Sequence, residues 1–249
     1  MAGHSHWANI KHKKARMDAK RGKVWGKCAK AIMVAAKNGG GDPAANLTLR
    51  YAVEEAKAAN MPRDTIERAI KKGSGELGGQ EFEDVRYEGY GPGGVAIIAD
   101  ALTDNRTRTV GEVRTAFTKH GGNLGESGCV AFMFEKKGVI TLDESTASEE
   151  QLMELAVEAG AEDVSFDDGV WTVTTGPDEF LTVKEAVDAA GFEAIGAELT
   201  YLPTVLTDVS ADKVATIVKL IDALEESDDI QKVYTNMDAS AEVLEAAMG

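Results

Sequence analysis

Apolar residues recur every three to four positions through the first 75 residues of the chain, which is the spacing of amphipathic helices. The pattern predicts three helices that end at Gly-rich or Pro-containing stops. They run from about Ala8 to Ala36, from Asp42 as N-cap with Pro43 in the first turn to about Asn60, and from Pro62 to Gly73. The Gly-rich segment "GSGELGG" follows, and it separates this helical region from the rest of the chain.

After this linker the pattern changes to short apolar stretches of the kind found in strands. "DVRYEGY" and "VAIIADALT" flank the turn residues "GPGG" and predict a hairpin over Asp84–Thr103. Helices are then predicted at Arg108–His120, Ser148–Ala159, Asp178–Ala190 and Ser210–Glu225. Strands are predicted at Ser127–Glu135, Gly138–Leu142, Asp163–Phe166, Val170–Thr174, Ala197–Leu202 and Ile230–Tyr234.

The order of these elements predicts three domains. Residues 138–203 have the order β-α-β-β-α-β of a split βαβ unit, which is complete in itself. The elements before and after it form a second α+β domain only if they meet in space. We therefore predict an α+β protein with a basic helical domain at 1–80, a discontinuous α+β domain at 81–137 plus 204–249, and an inserted ferredoxin-like domain at 138–203.

Composition limits the class of protein. The chain has 249 residues, 43% of them hydrophobic, and no apolar run approaches the roughly 18 residues of a membrane span. The basic start lacks the apolar stretch of a secretory signal, so we expect a cytoplasmic protein, with a monomer favoured. Cys28 and Cys129 are too far apart in sequence for a CxxC metal site or a disulfide framework.

Charge is distributed very unevenly. Residues 1–80 hold 16 Lys or Arg against 7 Asp or Glu, whereas the whole chain carries a formal charge of −15. The helical region is thus at +9 and the remainder at −24. Such asymmetry indicates a basic arm that binds a polyanion, joined to an acidic body that repels polyanions.

On a helical wheel the basic residues of the first predicted helix fall on one stripe, about 100° from an apolar stripe. This cationic stripe consists of Lys13, Arg16, Lys20, Lys23, Lys27 and Lys30. Only one acid of this segment, Asp18, is available to pair with the stripe. We therefore predict that the stripe binds nucleic-acid phosphates. Trp7 either stacks on a base or caps the apolar stripe. The candidate contacts of this segment are Trp7, Lys11, Lys13, Lys14, Arg16, Lys20, Arg21, Lys23, Lys27 and Lys30.

Other chemistry is disfavoured. The apolar stripe lacks the bulky residues of a membrane anchor. "GYGPGG" matches a dinucleotide fingerprint, but a strand follows it instead of the helix that the fingerprint needs. His4, His6 and His12 have neither Cys nor close acidic partners, so no metal site is expected. No catalytic motif is present, and we expect neither enzymatic activity nor a cofactor.

Five segments resemble, in order and spacing, the signature segments of the YebC/PmpR family: "MAGHSHWANIKHKKARMDAKRGK", "MPRDTIERAIKKG", "YEGYGPGGVAII", "LTDNRTRTVGEVR" and "GGNLGESGCVAFMFEKKG". The resemblance implies a three-domain fold, a cytoplasmic location and DNA binding as a transcriptional regulator. The family's other ascribed role is ribosome-associated translation, and a mitochondrial relative activates translation of cytochrome c oxidase subunit I. The departures are modest: His6, Trp25, Thr65, Cys129 and Phe132 stand where Lys, Phe, Asn, Ser and Trp are common.

The segment "TDNRTRT" adds Arg106 and Arg108 as a second candidate contact, because they lie where a strand leads into a helix N-terminus. The alternative is a helix capped by Asp104 or Asn105, with both arginines exposed. The function hypotheses are a DNA-binding transcriptional regulator or a translation factor that binds ribosomal RNA and the ribosome. Cationic arms serve both, so the sequence leaves the two open.

Overall fold

The computed structural model describes residues 21–77, 81–167 and 169–248. It confirms the predicted α+β class, since a helical unit precedes two four-stranded antiparallel sheets. The helical unit contains α1 (Arg21–Gly39), α2 (Leu47–Ala58) and α3 (Arg63–Gly73). A single apolar cluster that includes Ile32, Leu49 and Ile66 holds the three helices together.

The start of α2 differs from the sequence prediction. Asp42 forms a turn, in which its side chain accepts from the amide of Ala44 (2.9 Å), and the helix begins four residues later. Asn46 is the N-cap and accepts from Leu49 N (3.1 Å), while its amide donates to Ala35 O (2.8 Å). Asn46 therefore caps one helix and also ties it to α1, which the Asp-Pro signal does not reveal.

The other elements alternate along the chain. They are β1 (Glu83–Tyr90), β2 (Ala96–Thr103), α4 (Arg106–Lys119), β3 (Asn123–Leu124), β4 (Phe134–Asp143), α5 (Glu149–Glu158), β5 (Ala161–Asp167), β6 (Val170–Thr175), α6 (Phe180–Ala189), β7 (Ala194–Pro203), β8 (Thr207–Asp208), α7 (Ala211–Glu225), β9 (Ile230–Thr235), β10 (Met237–Asp238) and α8 (Ala241–Met248). The short strands β3, β8 and β10 and the last helix were not predicted.

The first sheet has the order β3-β1-β2-β9, so distant parts of the chain meet in it. The predicted hairpin is present, with β1 and β2 antiparallel from Glu83–Thr103 to Tyr90–Ala96. Helices α4 and α7 pack on one face of the sheet, where Phe117, Ile217 and other apolar side chains are fully buried. The opposite face points toward the second sheet.

The second sheet has the order β5-β6-β4-β7, and all its neighbours are antiparallel. This is the strand order of a ferredoxin-like unit, inserted between β3 and β9 of the first sheet as predicted. Its first strand is longer than predicted, because β4 pairs with β7 from Phe134 onward. The boundary expected between residues 137 and 138 falls inside this continuous strand.

The predicted strand over Ser127–Glu135 is wrong for its first seven residues, which form a loop and a short 3-10 turn. The cause is the buried carboxylate of Glu88, which accepts from the amides of Gly128 (2.8 Å), Val130 (2.9 Å) and Ala131 (2.8 Å). These N–H groups are no longer available to a neighbouring strand. Burial opposes ionisation, but the three hydrogen bonds lower the pKa of Glu88.

Changing Glu88 to alanine is expected to lower the free energy of unfolding by about 2 kcal/mol, since three buried amides lose their acceptor. Hydrogen exchange at Gly128, Val130 and Ala131 is expected to accelerate more than exchange in β2. Glu126→Ala, an exposed acid of the same loop, is the control and is expected to leave both quantities unchanged. Equal exchange in the two variants would contradict this role of Glu88.

Candidate nucleic-acid interface

Only part of the predicted cationic stripe lies in the region that the structure describes. Trp7, Lys11, Lys13, Lys14, Arg16 and Lys20 are outside it. Arg21 is the first residue of α1, and Lys23, Lys27 and Lys30 follow along the same helix. That these residues bind nucleic acid stays a prediction, but the last three can be placed among their neighbours.

Lys23 and Lys27 contact the C-terminal end of α7. Lys23 Nζ donates to the carbonyl of Glu226 and lies 3.7 Å from Asp228 Oδ1, while Lys27 Nζ donates to the carbonyl of Glu225 (3.2 Å). Burial lowers the pKa of Lys27, against the attraction of Glu225. Since α7 has no basic residue in its own last turn, these lysines satisfy carbonyl oxygens at its end. The described part of the stripe therefore has partners within the chain.

Asp229 is the buried centre of this contact. Its carboxylate accepts from Lys30 Nζ (2.9 Å) and Arg108 Nη2 (2.5 Å). The hydroxyls of Thr103 (3.1 Å) and Thr109 (2.8 Å) also donate to it. Burial opposes ionisation, but these hydrogen bonds outweigh it, led by the one from Arg108, and hold the pKa of Asp229 well below its usual range. The network joins α1, α4 and the segment before β9.

The two arginines of the second candidate site have different surroundings. Asn105 is the N-cap of α4 and accepts from Arg108 N (3.0 Å), as the capping alternative proposed. Arg108 pairs with Asp104 (2.9 Å) as well as with Asp229, so its guanidinium already has two carboxylate partners. Arg106 is exposed, and no described carboxylate lies within ion-pair distance of it. Of the pair, Arg106 is the one available to an external phosphate.

A groove of about 650 Å³ lies beside this network. Its walls come from α1, the segment before β1, α4 and the end of α7 with the segment that follows it. Its lining residues are Lys30, Phe82, Asp104, Arg108, Glu112, Ala223, Glu226, Ser227, Asp228 and Asp229. Five of these are acidic and two are basic, and both basic residues are already paired. The groove therefore repels a phosphate instead of cradling it.

Sequence reasoning missed a cationic patch on α3. Arg68 and Lys71 are exposed and Lys72 is partly exposed, and within the described ranges none of the three has an ion-pair partner. Spacings of three and four residues place Lys71 and Lys72 next to Arg68 on the helix surface. The segment "ERAIKKG" carries this signal, because its single Glu67 pairs backward with Arg63 (2.9 Å). We call these three residues the α3 patch.

The described side chains suggest no other chemistry. Across residues 21–77, 81–167 and 169–248, no group of three or more His, Cys, Asp or Glu is arranged to hold a metal ion. No helix in those ranges is long and apolar enough to cross a membrane. Burial raises the pKa of the Cys28 thiol to about 11, so the thiol is protonated and weakly reactive at neutral pH.

Comparison with known proteins confirms the predicted resemblance. Residues 5–76 match the family model of the TACO1/YebC protein N-terminal domain, and residues 82–237 match that of the TACO1/YebC second and third domain. A "probable transcriptional regulatory protein" of Persephonella marina is 56% identical, with 98% of this chain and 99% of the relative covered. One from Geobacter sulfurreducens, with the same description, is 52% identical, with 100% of both chains covered.

The fold also matches a solved structure. The crystal structure of a conserved hypothetical protein from Aquifex aeolicus has a TM-score of 0.82 and 50% sequence identity, with 94% of this chain and 96% of that chain covered. Matches to both domain models and to full-length relatives far exceed what a shared fold alone would give. The chain belongs to the TACO1/YebC family.

Proposed function

We propose that this protein is a transcriptional regulator that binds DNA through phosphate contacts made by its basic helical unit. The observation that carries the proposal is the α3 patch: three neighbouring cations that have no carboxylate partner among the described residues, in a chain whose formal charge is −15. Unpaired cations on one helix face repel each other and are stabilised by a polyanion. The names of the relatives support the regulatory role.

The charge of the rest of the molecule limits where DNA binds. Residues 81–249 hold 11 Lys or Arg against 35 Asp or Glu, so this body repels a duplex. We therefore confine the proposed interface to the α3 patch and the candidate contacts predicted in the first 30 residues, with Arg106 as an accessory contact. Contacts of this kind position a protein on the phosphate backbone and read little base sequence directly.

The α3 patch is tested by changing Arg68, Lys71 and Lys72 together to alanine. The slope of log K against log salt for a DNA duplex is expected to become shallower by about two to three, because each phosphate contact contributes about 0.9. The matched control removes three exposed lysines of the body, Lys119, Lys213 and Lys219. Fluorescence anisotropy over a salt series measures both. An equal change in the two triple variants would reject the patch as an interface.

The nature of the nucleic acid is tested on the unaltered protein. A DNA duplex and a structured RNA hairpin are compared at matched length and salt, and the proposal expects the duplex to bind at least as tightly. A preference for the hairpin by about tenfold or more, equal to about 1.4 kcal/mol, would replace the transcriptional role by the translational alternative.

A further inference from the structure

The contact between α1 and the end of α7 covers lysines of the predicted cationic stripe. We infer that nucleic acid competes with the C-terminal end of α7 for Lys23, Lys27 and Lys30, and that binding separates the helical unit from the body. The free protein is then a closed state in which the body occupies part of its own interface. This inference rests on the proposed function and adds its regulation.

Two of these lysines, Lys23 and Lys27, have partners in the closed state that are weaker than phosphates, whereas Lys30 pairs with the carboxylate of Asp229 (2.9 Å). Lys23 and Lys27 donate to backbone carbonyls, which carry partial charges at a helix C-terminus. The carboxylate near Lys23 is that of Asp228, whose side chain is 83% exposed and 3.7 Å away. A phosphate oxygen carries a full charge and forms a charge-assisted hydrogen bond with an ammonium group. A DNA backbone is therefore able to displace the contacts of Lys23 and Lys27.

The helical unit is joined to the body mainly by polar contacts, so it is able to move as one piece. The apolar cluster inside the helical unit shares no residue with the clusters of the two sheets. Tyr51 adds one apolar contact between the two parts, since its ring packs on Phe180 (5.9 Å between centroids) and its hydroxyl donates to Pro177 O (2.8 Å). Interfaces between domains that are polar in this way permit relative motion.

A partly exposed lysine forms the second polar junction. Lys232 on β9 donates to Glu55 on α2 and lies 3.4 Å from Glu198 on β7, so it touches all three parts of the protein. Burial opposes its charge, but Glu55 and Glu198 outweigh burial and raise the pKa of Lys232. Arg50 on α2 pairs with Glu185 on α6 (2.8 Å). An exposed ion pair such as Arg50–Glu185 contributes little stability and is weakened by salt.

Zero-length cross-linking with a carbodiimide tests the inference on the full chain. In the free protein Lys23 and Asp228 are expected to form an amide cross-link, detected as a joined peptide by mass spectrometry. Adding a DNA duplex without terminal phosphates is expected to reduce this cross-link at least fivefold. The cross-link between Lys57 and Glu54 (2.8 Å), which lie within α2, is the internal control and is expected to persist.

Anisotropy on the same samples separates the two claims. Saturated DNA binding with an unchanged Lys23–Asp228 cross-link would overturn the inference and leave the proposed function standing. Absence of DNA binding would overturn both. Loss of the cross-link together with a persistent control supports the inference.

A neutral substitution far from the stripe gives an independent test. Tyr51→Phe removes the hydrogen bond to Pro177 without changing any charge, so it weakens the closed state alone. Duplex affinity is expected to rise roughly two- to fivefold, as the loss of one hydrogen bond of about 1 kcal/mol allows. An unchanged or lower affinity, with the melting transition still cooperative, would contradict competition between the body and DNA.

Discussion

Replacing Asp229 by alanine is expected to lower the free energy of unfolding by about 3 kcal/mol or more, because it leaves two buried hydroxyls and the largely buried Lys30 without their shared acceptor. Lys30, Arg108, Thr103 and Thr109 all donate to this carboxylate, and its side chain is only 6% exposed. Urea unfolding followed by circular dichroism measures the change.

The neighbouring acid provides the control for this prediction. Asp228 has the same charge and its side chain is 83% exposed, so Asp228→Ala is expected to cost at most about 1 kcal/mol. Similar losses in the two variants would show that the network around Asp229 does not stabilise the fold.

The stability that Asp229 contributes depends on pH in a defined direction. Its pKa is depressed in the folded state, so the unfolded chain takes up a proton first as the pH falls. The contribution is therefore complete above the ordinary Asp pKa of about 3.9 and declines as the pH falls below it. The difference in stability between the wild type and Asp229→Asn is expected to shrink in acid. A difference that grows in acid would contradict the depressed pKa.

Reversing the charge of Lys11, Lys13, Lys14 and Arg16 to glutamate is expected to weaken duplex binding by about a hundredfold or more at low salt, since phosphate contacts are lost and repulsion replaces them. The control reverses four exposed lysines of the body: Lys119, Lys136, Lys213 and Lys219. Mobility shift at matched salt compares the two variants. Retained affinity in the first variant would remove these four residues from the interface.

Periodicity was sufficient to predict most of the fold. The described part of the first helix, the other two helices, the hairpin and the split βαβ unit each follow from local spacing, as does β9 at one edge of the first sheet. The errors lie where a side-chain contact that local spacing does not reveal determines the backbone conformation. Glu88 removes three amides from the predicted strand at 127–135, and Asn46 replaces Asp42 as cap because it also bonds to α1. The strands β3, β8 and β10 have only two residues each, too few to show a period.

The basic residues of the candidate site could be predicted from the sequence, but their partners within the folded chain could not. Few acidic residues are near Lys23, Lys27 and Lys30 in sequence, so the prediction left these lysines without partners in the protein. Their partners lie about two hundred positions away, at the end of α7 and just after it. Arg108 likewise pairs with Asp229, 121 residues further on. The α3 patch depends only on local spacing, so a helical wheel of α3 is sufficient to predict that its three cations are neighbours.

The salt dependence of DNA binding by the unaltered chain tests the central claim, that the basic helical unit binds the phosphate backbone, most directly. With about five or six phosphates neutralised by the cationic stripe and about three more by the α3 patch, log K is expected to fall against log salt with a slope near −7 to −8. The slope is expected to be nearly the same for duplexes of unrelated sequence. A slope shallower than about −1, or one that belongs to a single sequence only, would contradict backbone recognition by the helical unit.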